Sequence, residues 1–334
     1  MRDRKKTILE SIDDLYLSIY IIGYTTQGES SVLILYSKKP KKKILYSMVI
    51  DCYEEKEINC TVKILESFLP ELKLDMLVWT HPHDDHTLGI DKIVKDYCNK
   101  NTKIITSNVL NTDDKYSTIC NSIKNQIANL NNKQKIRWNI SQVESMGNIL
   151  QQIHFPNAGD LIKKLTIKCI APCADTISKE IDTNEINKLS IGIFIELERK
   201  DGNINFMFAG DMENQTIREI VREQESEEIP YVYNYIKLPH HGGKSGECLV
   251  DLLDIKNKSK FGVSTVFKNT VRECETRNPE KNVLEKYKKY IDEVACSSDV
   301  FNNKYGIGII KVEYDLGEKE IEILPYGTAC INVV

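Results

Sequence analysis

Three observations predict a layered α/β fold for this chain of 334 residues. Between residues 43 and 106, apolar runs rich in β-branched residues alternate with segments of helical periodicity, and this β-α-β-α-β order is typical of layered packing. A second strand-rich set with helices of its own begins at about residue 165. Apolar residues make up 41% of the chain and charged residues 28%, which is enough apolar material for a sizeable core in a soluble protein.

Each predicted strand is an apolar run bounded by polar turns or by turns that contain Pro or Gly. In the first half, the predicted strands are residues 17–22, 31–37, 43–50, 74–79 and 103–106. In the second half, they are residues 165–171, 190–197, 205–209, 231–238, 260–266, 293–296, 307–314 and 320–324. Apolar residues at helical spacing predict helices at residues 5–15, 60–69, 87–97, 213–222, 247–253 and 279–290.

Residues 107–150 differ from the rest because they are rich in Asn, Gln, Lys and Ser. Apolar residues recur there at helical spacing, at Tyr116, Ile119, Ile123, Ile127 and Leu130. We predict a helical insertion at 107–150 within a single domain that spans residues 1–334. The sequence leaves open whether this insertion is a lid, a surface for a protein partner or a spacer.

Charge and composition exclude some classes of function. A net charge of −4 argues against a protein that binds nucleic acid broadly, because such proteins carry a basic face. A nuclease remains compatible with it, since bound metals supply local positive charge. No stretch approaches the ~20 apolar residues that span a bilayer, and Glu10, Asp13 and Asp14 make the N-terminus unlike a secretory signal. We expect a cytoplasmic protein without membrane association, whose ten scattered cysteines are reduced.

The segment 80–89 holds three of the six histidines of the chain. His81, His83, Asp85 and His86 form an H-x-H-x-D-H pattern directly after an apolar run that ends at Trp79. Imidazole and carboxylate groups are the usual ligands of zinc in hydrolytic sites. Alternate side chains of a tight loop point the same way, so His81 and His83 can bind one metal, while Asp85 and His86 face a second.

Two later loops complete the pattern, and each follows a predicted strand. Asp211 stands in a Gly-Asp pair after residues 205–209, where it can bridge two ions, and either His240 or His241 supplies a further imidazole. Open α/β sheets collect their sites at the carboxyl ends of strands. The predicted centre is therefore dinuclear, with a water between two metals whose pKa is drawn towards neutrality.

These motifs resemble the metallo-β-lactamase superfamily. Further features resemble the hydrolase domain of bacterial DNA-uptake (competence) channel proteins of the ComEC type: Ile50-Asp51, then N-K-L-S at 187–190, then L-P-H-H-G-G-K-S at 238–245. The resemblance covers residues 17–314 apart from 107–150. It implies a four-layered αββα sandwich, two zinc (or manganese) ions and hydrolase activity. It implies two ligand groups, namely His81, His83 and Asp211 on one metal, and Asp85, His86, Asp211 and His240 or His241 on the other.

The chain departs from the family pattern at two places. Many members have another histidine before the Gly-Asp pair, and the candidate here is His154. A lone histidine beside apolar residues is usually a packed or surface residue. Close relatives have a His-Pro pair near the last long helix, where this chain has Asn278-Pro279. An asparagine can form hydrogen bonds there but cannot transfer protons at neutral pH.

We predict a metal-dependent hydrolase that uses a hydroxide activated by two metals, Zn²⁺ or alternatively Mn²⁺, on a phosphodiester of nucleic acid or a nucleotide. Asp85 and Asp211 are the predicted catalytic carboxylates, and Lys244 is predicted to neutralise a phosphate. Two alternatives remain. One is hydrolysis of a small ester, lactone or amide, because a fold does not determine a substrate. The other is a non-catalytic component of a defence or toxin module that binds a partner through 107–150.

Overall fold

The computed structural model describes residues 5–8, 12, 14–39, 41–69, 73–107, 116–134, 139–142, 145–180, 185–227, 229–269 and 276–333. Most of the strands form two large sheets, numbered here along the chain. One sheet, in spatial order, is β18 (Glu320–Gly327), β17 (Gly308–Asp315), β2 (Tyr16–Gly23), β3 (Glu29–Ser37), β4 (Lys43–Ile50), β5 (Met76–Trp79), β6 (Lys103–Thr106) and β7 (Asn139–Gln142). We call it the first sheet.

The second sheet, in spatial order, is β1 (Lys5–Thr7), β8 (Ile149–His154), β9 (Lys164–Ala171), β10 (Gly192–Glu198), β11 (Ile204–Phe208), β12 (Tyr235–Lys237), β13 (Ser259–Ser264), β16 (Ile291–Cys296) and β19 (Cys330–Ile331). A separate hairpin consists of β14 (Phe267–Asn269) and β15 (Thr276–Asn278). The α-helices are α1 (Cys60–Phe68), α2 (Asp84–Thr87), α3 (Ile90–Tyr97), α4 (Thr118–Gln134), α5 (Ala174–Glu180), α6 (Asn214–Glu227) and α7 (Lys281–Tyr287). Short 3₁₀ helices lie at Ile186–Leu189, Pro239–Gly242, Lys244–Leu252 and Val300–Asn302.

The two sheets and the helices on their outer faces form four layers, and three apolar clusters fill the spaces between these layers. Residues of both sheets, such as Leu33 and Phe206, meet in a central core. On β3, the alternate residues Val32 and Ile34 face the other way and pack with residues of α1 and α3. The outer face of the second sheet packs in the same manner against α6 and α7. Because β3 is buried on both faces, its middle residues 32–36 form a continuous apolar run. This architecture is the predicted αββα sandwich, and the prediction of fold class is confirmed.

Strands near both termini of the chain pair with strands that are distant in the sequence. β17 pairs with β2, which lies about 290 residues earlier in the sequence, and β1 pairs with β8 of the second sheet. The prediction of a helix at 5–15 is therefore wrong at Lys5–Thr7, which is a strand; residues 9–11 and 13 lie outside the described part. Backbone pairing with β8 prevails over helical periodicity here, since tertiary contacts routinely override weak local propensity.

Part of the range 107–150 lies outside the described residues. Within it, α4 packs on α3, and β7 adds a parallel strand to β6 at the edge of the first sheet. Its assignment as an insertion in a single domain stays a prediction. Among the described helices, none is long and apolar enough to cross a membrane. The cysteines of the described residues are free, and all of them except Cys330 are buried.

Candidate metal centre

The loops that carry the predicted ligands meet at one edge of the sandwich. β4 and β5 run parallel, so residues 51 and 80–86 emerge side by side from their carboxyl ends. β11 and β12 are also parallel, and the loops at 209–213 and 238–243 follow them. Two sheets thus each direct two loops to a common cleft, which is where α/β proteins collect functional groups.

The first cluster consists of His81, His83 and Asp211, whose ligand-type atoms lie close enough together to hold one metal ion. His81 Nε2 is 3.1 Å from His83 Nδ1 and 3.9 Å from Asp211 Oδ2. His81 and Asp211 are buried, whereas His83 is half-buried at the floor of the cleft. Burial and the neighbouring histidines lower the pKa of His81 well below its usual value. His81 is therefore neutral, as a metal ligand must be.

The second cluster lies beside the first and shares Asp211 with it. His86 Nε2 is 3.4 Å from Asp211 Oδ1 and 3.7 Å from Asp85 Oδ2. His241 Nε2 is 3.2 Å from the same oxygen of Asp85 and 3.7 Å from Asp211 Oδ2. Two imidazole nitrogens and two carboxylates thus surround one small space, and this grouping can hold a second ion.

His240 and His241 differ in what their rings contact. The ring of His241 is 1% exposed and faces the second cluster, whereas that of His240 is 22% exposed. The Nε2 of His240 lies 4.0 Å from Asp211, and its Nδ1 hydrogen-bonds the hydroxyl of Ser245. Both residues have a positive φ, a strained conformation typical of functional sites. The geometry therefore favours His241 as the ligand and leaves His240 at the cleft wall.

Asp51 contacts His86 directly and His81 through Thr80, on the side of each ring away from the metal cluster. Its carboxylate accepts hydrogen bonds from Thr80 N at 2.7 Å and from Thr80 Oγ1 at 2.6 Å, and it lies 2.8 Å from His86 Nδ1. Because the single hydroxyl proton of Thr80 is donated to Asp51, its oxygen accepts from His81 Nδ1 at 2.9 Å. With a proton on Nδ1, the Nε2 of His81 carries a lone pair, as a metal ligand requires. Carboxylates behind metal-binding histidines orient ligands in this manner.

Several atoms of the two clusters are left without partners. His86 Nε2, His241 Nε2 and Asp211 Oδ1 are buried and have no hydrogen-bond partner, although buried polar atoms are almost always satisfied. Burial alone would lower the pKa of His86, but Asp211, Asp85 and Asp51 together raise it well above its usual value. The buried carboxylates and the unpartnered ring nitrogens are of the types that bind divalent metal ions, and the residues present fit such ions.

The Gly-Asp pair positions Asp211 through a tight turn. Gly210 has a φ of +53°, and a Cβ added there would lie 2.6 Å from Ser190 Oγ. That hydroxyl accepts a hydrogen bond of 2.9 Å from Asp211 N. Close approach to Ser190 is therefore why the position requires glycine.

Other residues singled out in the sequence lie elsewhere. His154 pairs across β8 and β9 with Lys164, which in turn pairs with Glu198. Glu198 is at the far end of β10 from Ile193, which is opposite Phe208 near Asp211. Five residues of strand span about 17 Å, so His154 lies at least that far from the cluster. This distance argues against His154 as a ligand.

Lys244 and Asn278 both lie at the loop that contains His240. Lys244 is exposed, and its backbone N–H donates to Glu280; of the described residues, it is not among those lining the cleft. Its role in neutralising a phosphate stays a prediction. Asn278 Nδ2 donates to the backbone oxygen of His240 at 3.4 Å. Asn278 thus supports the loop that contains His240.

Glu29 is a member of the site that sequence reasoning missed. It stands at the start of β3, is 5% exposed, and its Oε2 lies 3.3 Å from His241 Nδ1. The only signal was a carboxylate that follows a Gln-Gly turn and begins an apolar strand. Such a residue is usually exposed, so its burial could not be predicted without knowing which elements cover it.

The cleft in front of the clusters has a volume of about 320 Å³. Besides cluster residues, its wall includes amide, hydroxyl and aromatic side chains, namely Gln27, Tyr116, Ser117, Asn187 and Phe267. Asn187 Oδ1 is buried without a hydrogen-bond partner. The cleft is large enough for a small substrate or one unit of a polymer, and it offers polar groups to orient it.

No protein-family model matches the chain, and no curated protein matches it. Solved structures do show similarity. A long form of RNase Z from yeast matches 91% of this chain at 10% identity with a TM-score of 0.44. This chain covers 42% of that protein, less than half its length.

Two metallo-β-lactamases are also similar. MEM-A1 is a subclass B3 enzyme from a soil metagenome library. Its match covers 73% of this chain and 89% of the MEM-A1 chain, at 8% identity and with a TM-score of 0.34. GOB-18 from Elizabethkingia meningoseptica matches 68% of this chain and 77% of its own at 10% identity with a TM-score of 0.29. Each of these structures resembles part of this chain. The function of this protein is therefore inferred from the side chains of its own site.

Proposed function

We propose that this protein is a metal-dependent hydrolase that cleaves phosphodiester bonds, as a phosphodiesterase or nuclease. The observation that carries the proposal is the convergence of unpartnered, buried nitrogen and oxygen atoms on a shared carboxylate, Asp211, at the floor of an open cleft. His81, His83 and Asp211 would hold one divalent ion, zinc or manganese. Asp85, His86, Asp211 and His241 would hold the other.

When bound, two such ions supply a water of lowered pKa and positive charge for the oxygens of the reacting group. The chain's own residues prepare the site for them. Asp51 and Thr80 fix the rings of His81 and His86, so that less reorganisation is needed when an ion binds. His240 and Asn187 line the cleft and would orient the substrate.

A second candidate is hydrolysis of a small uncharged ester, lactone or amide. It is favoured by the cleft wall, in which the described residues include no lysine or arginine but do include Asp84, Asp85 and Asp211. A polyanionic substrate would meet positive charge only from the metals and from groups outside this wall. The ComEC-type resemblance and Lys244 favour the phosphodiester, so the choice depends on a substrate panel.

The test combines metal analysis with that panel. We expect about two divalent ions per chain and cleavage of bis-p-nitrophenyl phosphate or single-stranded DNA. His83→Ala and Asp211→Ala should each lower the rate by more than about a hundredfold. His154→Ala is the matched control, because this histidine lies at the opposite end of the sheet and should leave metal content and rate unchanged.

Each other result has a definite meaning. Cleavage of lactones or esters with inert phosphodiesters would replace the proposal by the second candidate. A folded wild-type protein that binds no metal and cleaves nothing would contradict both, and would favour a binding component that acts through 107–150.

A further inference from the structure

A network of buried side chains contacts the imidazole of His241. None of the other members of this network is a ligand in the proposed metal site. Thr265 follows β13, and its hydroxyl donates a hydrogen bond to Glu29 Oε2. The same hydroxyl oxygen lies 2.8 Å from His241 Nδ1. Lys237, 2% exposed within β12, places its Nζ 2.5 Å from Glu29 Oε2. All four side chains are buried.

This network of side chains around His241 repeats an arrangement found on the other side of the metal centre, around His81. There the hydroxyl of Thr80 donates to Asp51 and accepts from His81 Nδ1. Here the hydroxyl of Thr265 donates to Glu29 and accepts from His241 Nδ1. A threonine hydroxyl has one proton, so its donation to a carboxylate leaves only acceptor capacity towards the ring.

The proton on the ring of His241 follows from this geometry. Since Thr265 can only accept from it, Nδ1 carries the proton, and Nε2 of the neutral ring presents a lone pair. This Nε2 lies 3.2 Å from Asp85 Oδ2 and is buried without a hydrogen-bond partner. A lone pair facing a carboxylate at this distance is repulsive unless a cation lies between them. The position of Nε2 is therefore suited to a metal ligand.

Lys237 has a distinct part in the network. A buried carboxylate is costly unless an opposite charge is paired with it. Lys237 supplies the opposite charge at close range. Glu29 and Lys237 come from β3 and β12, one in each sheet, so their ion pair joins the two halves of the sandwich directly behind the site.

We propose that Glu29, paired with Lys237 and acting through Thr265, is a positioning residue that fixes the tautomer and orientation of His241 for metal binding. This inference rests on the proposed metal site and deepens it. Glu29 Oε1 is also 3.9 Å from His86 Nδ1, too far for a hydrogen bond. Its action is therefore on His241, while Asp51 serves His86.

The experiment measures Zn²⁺ affinity of metal-free protein in competition with a chromophoric chelator. Thr265→Val removes the hydroxyl at nearly constant volume and should weaken binding of one of two ions by about 10- to 100-fold. Thr265→Ser restores the hydroxyl and should restore the affinity. The control is Thr102→Val, a buried threonine whose hydroxyl donates to Leu74 O at the other end of β5 and should not affect metal affinity.

A second pair of variants tests the ion pair itself. Glu29→Gln alone leaves the Lys237 charge buried and unpaired, so it is expected to destabilise the fold. Glu29→Met combined with Lys237→Met removes both charges and the oxygen that accepts from Thr265, should fold, and should show the same loss of affinity as Thr265→Val. Wild-type affinity in these folded variants would overturn the inference.

A further measurement is independent of both metal and activity. Long-range ¹H–¹⁵N spectra of metal-free protein report which ring nitrogen of His241 carries the proton. We expect Nδ1–H in the wild type and its loss in Thr265→Val; an Nε2–H wild type would refute the inference. If two ions bind but no phosphodiester is cleaved, the proposed substrate fails while the affinities and spectra still decide the role of Glu29.

Discussion

Replacement of Asp51 by asparagine should weaken both the fold and the metal centre, by amounts that can be separated. The Asp51 carboxylate serves two donor groups of Thr80 and one ring nitrogen of His86. The asparagine side chain keeps one acceptor oxygen, which can serve Thr80. Its amide N–H₂ must then face the N–H of His86, so at least one charge-assisted hydrogen bond is lost.

The magnitude follows from these contacts. Loss of one hydrogen bond to a charged group costs about 1.5–3 kcal/mol, and this loss is present without metal. Misorientation of His86 should weaken the metal by about 10- to 100-fold. At a fixed, saturating metal concentration, that weakening removes a further about 1.4–2.7 kcal/mol of metal-linked stability. The total loss with metal is then about 3–6 kcal/mol.

The assay is urea unfolding of wild type and Asp51→Asn, each with a chelator and with saturating Zn²⁺. Asp75→Asn is the control, because Asp75 accepts a hydrogen bond of 3.1 Å from Ser47 N at the opposite end of the same strands. It should cost stability equally in both conditions. An Asp51→Asn loss that is the same with and without Zn²⁺ would refute the idea that Asp51 orients His86 for the metal.

Three other predictions concern the turn, a remote carboxylate and the metal itself. Gly210→Ala should destabilise by several kcal/mol more than Gly159→Ala in thermal unfolding, because both have φ near +55° but only Gly210 meets a neighbour, Ser190, while Gly159 has none within 4 Å. Partial burial would raise the pKa of Glu313, but hydrogen bonds from Lys311 and Ser18 lower it. Its contribution is therefore present above the usual value of 4.5 and is lost as pH falls through the lower folded value. Glu313→Gln should cost about 1 kcal/mol at neutral pH and nothing in acid; a constant difference across pH would contradict this. Chelation should lower the unfolding midpoint of the wild type reversibly, and restoration by Zn²⁺ or Mn²⁺ but not Ca²⁺ would agree with a centre of imidazole and carboxylate ligands; equal restoration by Ca²⁺ would not.

The local sequence was sufficient for most elements and for the kind of site. The strands at 43–50 and 103–106 agree with the structure at both ends, because apolar runs between polar turns specify strands without reference to distant residues. The residue types of the segment 80–89 likewise indicated a metal site without reference to distant residues. Imidazole and carboxylate groups at such spacing have few other uses.

Elements whose place depends on distant partners were predicted less well. The N-terminal segment has helical periodicity, yet Lys5–Thr7 pairs with β8. The predicted strand at 231–238 is shorter in the structure, at Tyr235–Lys237, and Tyr231 is 48% exposed. In each case the decisive term is the backbone pairing offered by another part of the chain, which local propensity does not contain.

The sequence by itself determined the chemistry that these loops can support: histidines and carboxylates at the ends of strands in an αββα sandwich. Only the tertiary structure showed that His240 and His241 differ in burial, since the ring of His241 is 1% exposed and that of His240 is 22% exposed. It alone placed His154 far from the centre and brought Glu29, Lys237 and Thr265 together behind His241. The physical reason is that a ligand set is a matter of residue type and spacing, whereas orientation and charge balance arise from packing two sheets against each other.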